Sequence, residues 1–550
     1  MNQLAQNQLL IIAKYFDSIN DYINLAKTCK HNDINSLFNY NPIPITNLKI
    51  FPNIKTQHLY TVSDIELNVL NYEIWYQVEY NESLIQHENT KYRNVILKKY
   101  NFKDKNKTKI DLNNLNIPIT KLGYMCFSNY KDMKEIILPD SIIELGEECF
   151  QYCTSLKEII LPNSVTKLSD KCFEKCSSLS KIILSNSLME ISYGCFAECS
   201  SLTKIILPDN LKELNDCCFN RCRKLLEIAL PISMIKLGEW CFYKCSSLKE
   251  ITLPNSLTEI QNGCFSKCNS LSKIILPISI TKLSNECFHD CKNLIEITLS
   301  DNLIELGSQC FENCTSLKEI TLPDNLIEIQ NRCFWGCSNL SKIILNNKIQ
   351  ELGYYCFKDC KNLKEVILSN SLTKLNDKCF KNCSCLSELT LPDSIIEIGI
   401  SCFKNCCNLL KINMPNNLKE IGEYCFKSCS NLLKITLNNN LIKMGKRCFN
   451  NCSNLKEIIL PNNLTRIDNY CFKNCKKLSK ITLPDNLIII GHNCFENCYE
   501  LGEITLPNKL VKIGKHRFRV CSCLGIIDVM NPELELHDIP DNIVNIIDDD

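Results

Sequence analysis

The chain is 550 residues long, which at about 100 to 200 residues per domain gives three or four globular domains unless the sequence repeats itself. Its 62 Lys and Arg balance 61 Asp and Glu, and a net charge of +1 leaves no overall basic field, so no nucleic-acid partner is expected. Hydrophobic residues at 45% and charged residues at 22% are ordinary globular usage and exclude global disorder.

No basic region precedes the apolar run Leu9–Ile12 and no small-residue cleavage site follows it, so Met1–Phe16 does not read as a secretory signal. By that absence the chain reads as cytoplasmic. No apolar run approaches the roughly 18 residues of a transmembrane segment. Leu9, Leu10, Ile12, Ala13 and Phe16, then Tyr22, Ile23, Leu25, Ala26 and Cys29, recur at helical spacing on either side of Asp17–Asp21. The spacing predicts two short amphipathic helices within a small, mostly helical N-terminal domain over residues 1–115, a cap for the edge of the region that follows. Residues 7–30, with Asp21 as N-cap ahead of Leu25-Ala26-Lys27-Thr28-Cys29-Lys30, are also similar to an F-box, although the leading Leu-Pro of that family is missing. That resemblance implies an intracellular ubiquitin-ligase adaptor with a Skp-type partner.

Residues 116–528 are periodic. Cys-Phe recurs every 23 residues from Cys126 to Cys494, 17 times in all, and becomes Arg517-Phe518 at the next position. From Cys149 to Cys494 a second Cys always follows four residues after the first. In one copy the recurring apolar positions are Cys149, Phe150, Cys153, Leu156, Ile159, Leu161, Val165 and Leu168, separated mostly by Lys, Glu, Asn and Ser. Ile159 and Leu161 have the period of a half-buried strand, whereas Cys149, Cys153 and Leu156 follow the i, i+4, i+7 spacing of a helical turn. Pro follows the strand in 12 of 17 copies, as at Pro139 and Pro162, where its missing N–H ends a ladder. A unit this short cannot close a core alone. The predicted fold is therefore an α/β solenoid, a leucine-rich-repeat superhelix of about 18 stacked turns with a parallel β-sheet, strands ~4.8 Å apart and a rod on the order of 85 Å. Residues 529–550 read as a loosely held acidic C-terminal tail.

The string L-P-x-x-L-x-x-I-x-x-x-C-F-x-x-C-x-x-L-x-x-I resembles the BspA-like, Treponema pallidum-type subclass of leucine-rich repeats, over about 400 residues. Here Cys stands before Phe, where that family usually has Ala. Phe51–Tyr60 also resembles the N-terminal region of protist BspA-like chains. The resemblance implies a surface antigen or adhesin that binds protein, and hence the cell surface rather than the cytoplasm.

The 39 cysteines belong to a chain too long to need disulfide staples. The spacing C-x3-C-x18-C-x3-C could supply zinc thiolates, but many sites would then crowd one rod; a thiol is also a small apolar side chain often found buried. Buried thiol ladders are the favoured reading, with disulfides between turns, metal binding and a redox-responsive role as alternatives. Cys217, Cys385, Cys407 and Cys523 fall outside the register and are expected to be more exposed and oxidisable. His289 and His492 sit on variable positions and are expected to face solvent, and Trp240 and Trp335 are candidate aromatic anchors.

Positions that vary between copies mark the usable surface. One outward row on the sheet reads Glu135, Glu158, Lys181, Lys204 and onward, ten Glu to seven Lys, which can pair as a self-compensating ladder. A second runs Ile137, Ile160, Ile183, Ile206 and later includes Thr252, Thr298 and Thr321. An exposed strip of Ile on the concave sheet would be a docking surface, although Ile and Thr also simply suit a strand. No phosphate loop, zinc signature, nucleophile elbow or other catalytic motif appears, so the expectation is a non-enzyme without cofactor that binds a protein ligand.

Overall fold

The computed structural model describes residues 117–531 without interruption, and from the flanking chain residues 21, 24, 44, 54–64, 66–67, 71–74, 77–83, 90–98, 106–115, 533–534 and 544–546. It divides into two compact units, Met1–Leu211 and Lys212–Asp550, each a stack of parallel β-coils.

Every regular turn has the same plan. In the copy that begins at Cys149, Glu158–Ile160 forms a three-residue strand and Lys167–Leu168 a two-residue strand. Each lies parallel to its equivalent one period later, with Glu158 opposite Lys181, Ile160 opposite Ile183, and Lys167 opposite Glu190. The second unit repeats the register, for example Lys273 opposite Glu296 and Glu420 opposite Lys443. Leu161 N–H still donates to Ile183 O at 2.9 Å, and Pro162, with no N–H, ends the ladder there.

The Cys-Phe corner departs from the helical turn that its spacing predicts. Lys171 and Lys175 take left-handed conformations, φ 51° and 61°, and the equivalent two positions do so in copy after copy. A left-handed residue every fourth position cannot belong to an α-helix. Instead, the N–H groups of Cys172, Glu174 and Cys176 close tight turns onto Ser169, Lys171 and Phe173, while those of Lys171, Phe173 and Lys175 reach Tyr193, Cys195 and Ala197 in the next turn at 2.7–2.8 Å. Alternate donors thus fold the corner and stack it, and no corner N–H from Lys171 to Cys176 is left unpaired. The repeat is a β-coil with hydrogen-bonded corners, and the helical part of the expected α/β fold is absent from the regular turns.

The eight recurring apolar positions are the core. Cys149, Phe150, Cys153, Leu156, Val165 and Leu168 are 0% exposed, with Ile159 and Leu161 at 2–3%. The phenylalanines form near-parallel stacks, with centroids 5.2–5.6 Å apart from Phe127 to Phe196 in the first unit and 5.3–5.6 Å from Phe219 to Phe518 in the second.

The expected mostly helical N-terminal domain is not what the described residues form. Thr56–Leu59, Asn71–Ile74 and Thr90–Tyr92 make a three-stranded parallel sheet around Leu59, Ile74, Val78, Tyr92 and Val95. Val78–Glu79, Val95–Leu97 and Lys121–Leu122 pair in series, and Lys109–Asp111 pairs with Glu135–Ile137, so coil pairing runs through residue 115. Described helix in this stretch is confined to Asp21, Asn24, Tyr80–Ser83 and a single 3-10 turn at Leu112–Asn114. Apart from Asp21 and Asn24, the F-box-like segment 7–30 lies outside the described residues. At the other end Ile526–Val529 pairs with Glu503–Leu506 and with Val544–Ile546, so part of the acidic segment adds a strand.

Candidate functional site

Strand alternation sets the candidate surface. In Glu158–Ile160 the central Ile159 is buried, which turns Glu158 and Ile160 outward. Ile160, Ile183 and Ile206 are 57%, 45% and 73% exposed, while Ile137 at the head of the row is half-buried. Ile160 and Ile183 are direct register partners, so these side chains form a strip. Thr252, Thr298 and Thr321 are exposed in the equivalent row of the second unit. There Ile344 and Ile367 are also partners, both half-exposed.

The charged row beside the strip pairs where signs alternate. Lys181 lies 3.5 Å from Glu158, and Lys273–Glu296 and Lys342–Glu365 close at 2.9 and 2.8 Å. Glu135 and Glu158 are like-charged register partners; Glu135 instead takes Lys109 at 2.9 Å. Lys204 is exposed. These pairs sit in solvent, where each contributes about 0–1 kcal/mol.

A further outward row, one residue ahead of the two-residue strands, escaped the sequence reading. Ile143 and Met189 are 53% and 66% exposed in the first unit, and Ile235, Ile304, Ile327, Ile396 and Ile442 recur in the second. Its signal was an apolar residue before each Glu/Lys-Leu/Ile pair, which resembles core spacing unless the strand is known to start there.

The thiols have a structural role. Within each unit the second Cys of a corner donates its S–H to the Phe carbonyl of the preceding turn, as Cys153 does to Phe127 O at 3.1 Å, Cys291 to Phe265 O at 3.1 Å and Cys475 to Phe449 O at 3.2 Å. Burial pushes corner thiols at both positions up to about 12, the second-position Cys291 and the first-position Cys379 and Cys471. The described cysteines are free thiols, and among the described residues no group of three or more His, Cys, Asp or Glu is placed to hold a metal ion. Among the described cysteines outside the register, Cys407 and Cys523 are exposed and Cys217 and Cys385 half-buried. His492 is exposed, but His289 is not: its side chain is 14% accessible, with Nε2 3.3 Å from Asp290. Neither Trp is a free anchor. Trp240 packs edge-on against Tyr243, and Trp335 donates to Asp359 Oδ2 at 2.8 Å beneath Lys358.

No helix among the described residues is long and apolar enough to cross a membrane. The sequence matches the family described as BspA type leucine rich repeat region over residues 95–226, 166–295, 212–340, 283–409 and 397–525. No curated protein matches it. A leucine-rich repeat protein from Bacteroides ovatus is similar in structure, at 26% identity and a TM-score of 0.51, over 71% of this chain and 88% of that one. A leucine rich cell surface protein from Faecalibacterium prausnitzii is 21% identical (TM-score 0.37; 62% of this chain, 88% of that one), and the T. pallidum leucine-rich repeat protein 23% (TM-score 0.26; 34% and 78%). Matched from residue 95 to residue 525, the chain belongs to the BspA-type leucine-rich-repeat family.

Proposed function

We propose that the protein is a non-catalytic scaffold that docks a protein partner on its sheet of three-residue strands, with Ile160, Ile183 and Ile206 at the centre of the contact and Glu158, Lys181 and Lys204 at its edge. The observation that carries this reading is the exposure of three successive Ile on one row of a backbone whose hydrogen bonds hold it rigid. Desolvating a preformed apolar strip gains free energy with little ordering cost, and flanking charges select the partner. Family membership supports the more specific form, a surface antigen or adhesin.

The test is affinity capture with wild type, Ile160→Glu/Ile183→Glu and, as control on the other sheet, Met189→Glu. A partner kept by the control and lost by the double variant supports the reading; equal loss from both, or none from the double variant, contradicts it. The adhesin form is tested by antibody labelling of native cells. Labelling of intact cells supports it, whereas labelling only after permeabilisation contradicts it.

A further inference from the structure

In the corners of the second unit the residue after Phe is a lysine in four successive turns, Lys358, Lys381, Lys404 and Lys427. The ten earlier positions of this column, Ser128 to Trp335, hold no lysine. The charged row on the sheet mixes both signs and pairs where they alternate; these four successive positions carry one sign. Its backbone step is fixed by the stacked phenylalanines beside it, whose centroids lie 5.4, 5.6 and 5.4 Å apart from Phe357 to Phe426. Main-chain bonds from Asp359, Asn382 and Asn405 N–H to the carbonyls of Lys381, Lys404 and Lys427, each 2.8 Å, lock successive lysines in line.

Like charges held one turn apart repel, and of the four lysines Lys358 alone has, among the described residues, an ion-paired carboxylate beside it. Lys358, with its side chain 16% accessible, pairs with Asp359 at 3.4 Å, and Asp359 also accepts from Trp335 and Asn382. Glu423 is taken by Lys446 at 3.1 Å. Lys381, Lys404 and Lys427 have no ion-pair partner among the described residues. The Lys381 ammonium is held below its ordinary value by burial first, then by Lys404, Lys358 and Lys378. A row built this way awaits an external polyanion.

We propose that the half-buried row Lys381–Lys404–Lys427, continued at one end by the ion-paired Lys358, is a ridge of positive charge that binds a linear sulfated polysaccharide. Three features select this chemistry. Single-stranded nucleic acid would need free aromatic faces for its bases, but Tyr355 carries Lys378 at 4.7 Å, and Tyr424 carries Lys404, Lys427 and Arg447 at 5.6–5.9 Å. An acidic polypeptide adding as a strand would need an open backbone edge, but the corner N–H groups are spent within and between turns. Asn405 and Asn382 bond each other at 2.8 Å, which leaves charge as the main recognition element. A stiff chain of regularly spaced sulfates matches a stiff row of ammonium groups at small entropic cost.

The experiment measures binding of the reduced full-length protein to immobilised heparin oligosaccharide across a salt series. It compares wild type with K381Q/K404Q/K427Q and with K273Q/K342Q/K434Q, which removes equal charge from the sheet row; circular dichroism confirms that each is folded. The expected result is retention of wild type and control at about 0.15 M salt, with the ridge variant weakened about tenfold or more and its salt slope reduced by about two to three. No wild-type binding, equal loss in both variants, undiminished binding to chemically desulfated heparin, or tighter ridge-dependent binding of single-stranded RNA or polyglutamate would each overturn the proposal.

Discussion

The thiol of Cys314 donates to the main-chain carbonyl of Phe288, 3.2 Å away and 26 residues earlier in the chain. The same oxygen accepts the N–H of Cys291 at 3.1 Å, so both of its lone pairs are used, one to close a corner and one to tie it to the next. This explains why the second corner position is a cysteine: an Ala there would fill less space and leave the carbonyl half-satisfied.

Cys314→Ala should therefore lower stability by about 1–3 kcal/mol, from the lost hydrogen bond and the small cavity together. Denaturant unfolding measures it, with local hydrogen exchange showing whether the loss concentrates in the adjoining turns. An unchanged midpoint would mean that the thiol only fills space.

Alkali should unfold the protein. A thiol near 8.5 in the unfolded chain but held at about 12 in the fold keeps its proton when the unfolded state loses it, so stability is complete below about pH 8.5 and falls as pH rises toward the folded value. Cys291, Cys379 and Cys471, raised chiefly by burial, together cost about 4 kcal/mol per pH unit in that window. Circular dichroism should show cooperative loss of structure by about pH 10.5; a native spectrum there would contradict the buried-thiol account.

Native alkylation at neutral pH followed by peptide mass spectrometry should modify Cys407 and Cys523 first and the half-buried Cys217, Cys385 and Cys521 more slowly. Corner thiols such as Cys314 should react only after unfolding. Early labelling of any fully buried corner cysteine would show that the coil opens locally.

Phe288→Ala should cost about 3–5 kcal/mol, because Phe288 is fully buried and stacked between Phe265 and Phe311. Lys273→Gln should change stability by less than about 1 kcal/mol, since both members of its 2.9 Å pair with Glu296 are more than half exposed. Thermal melts of the two variants test the ranking; comparable losses would contradict it.

The repeat was legible because each Cys-Phe pair marks a corner, and the strand alternation around Ile159 correctly turned Ile160 outward. The corner conformation was not legible. An i, i+4, i+7 apolar pattern fits a helical turn and a pair of tight turns equally, and only the backbone reveals φ 61° at Tyr152. Upstream of residue 115 the strands Thr56–Leu59 and Asn71–Ile74 bury a polar contact, His58 to Glu73 at 2.8 Å. With polar residues inside and no fixed period, those strands carry no hydrophobic pattern to read. The lysine row was hidden for a simpler reason: lysine is common on every surface row, and a run of one sign in a single column does not stand out from rows balanced by glutamate.

The most direct test of the docking claim is site-specific photocrosslinking in native cells, with a benzophenone side chain at position 183 on the sheet of three-residue strands or at position 189 on the other sheet. A discrete protein adduct is expected from 183, lost with Ile160→Glu, and none from 189. Equal adducts from both positions, or an adduct from 189 alone, would contradict it.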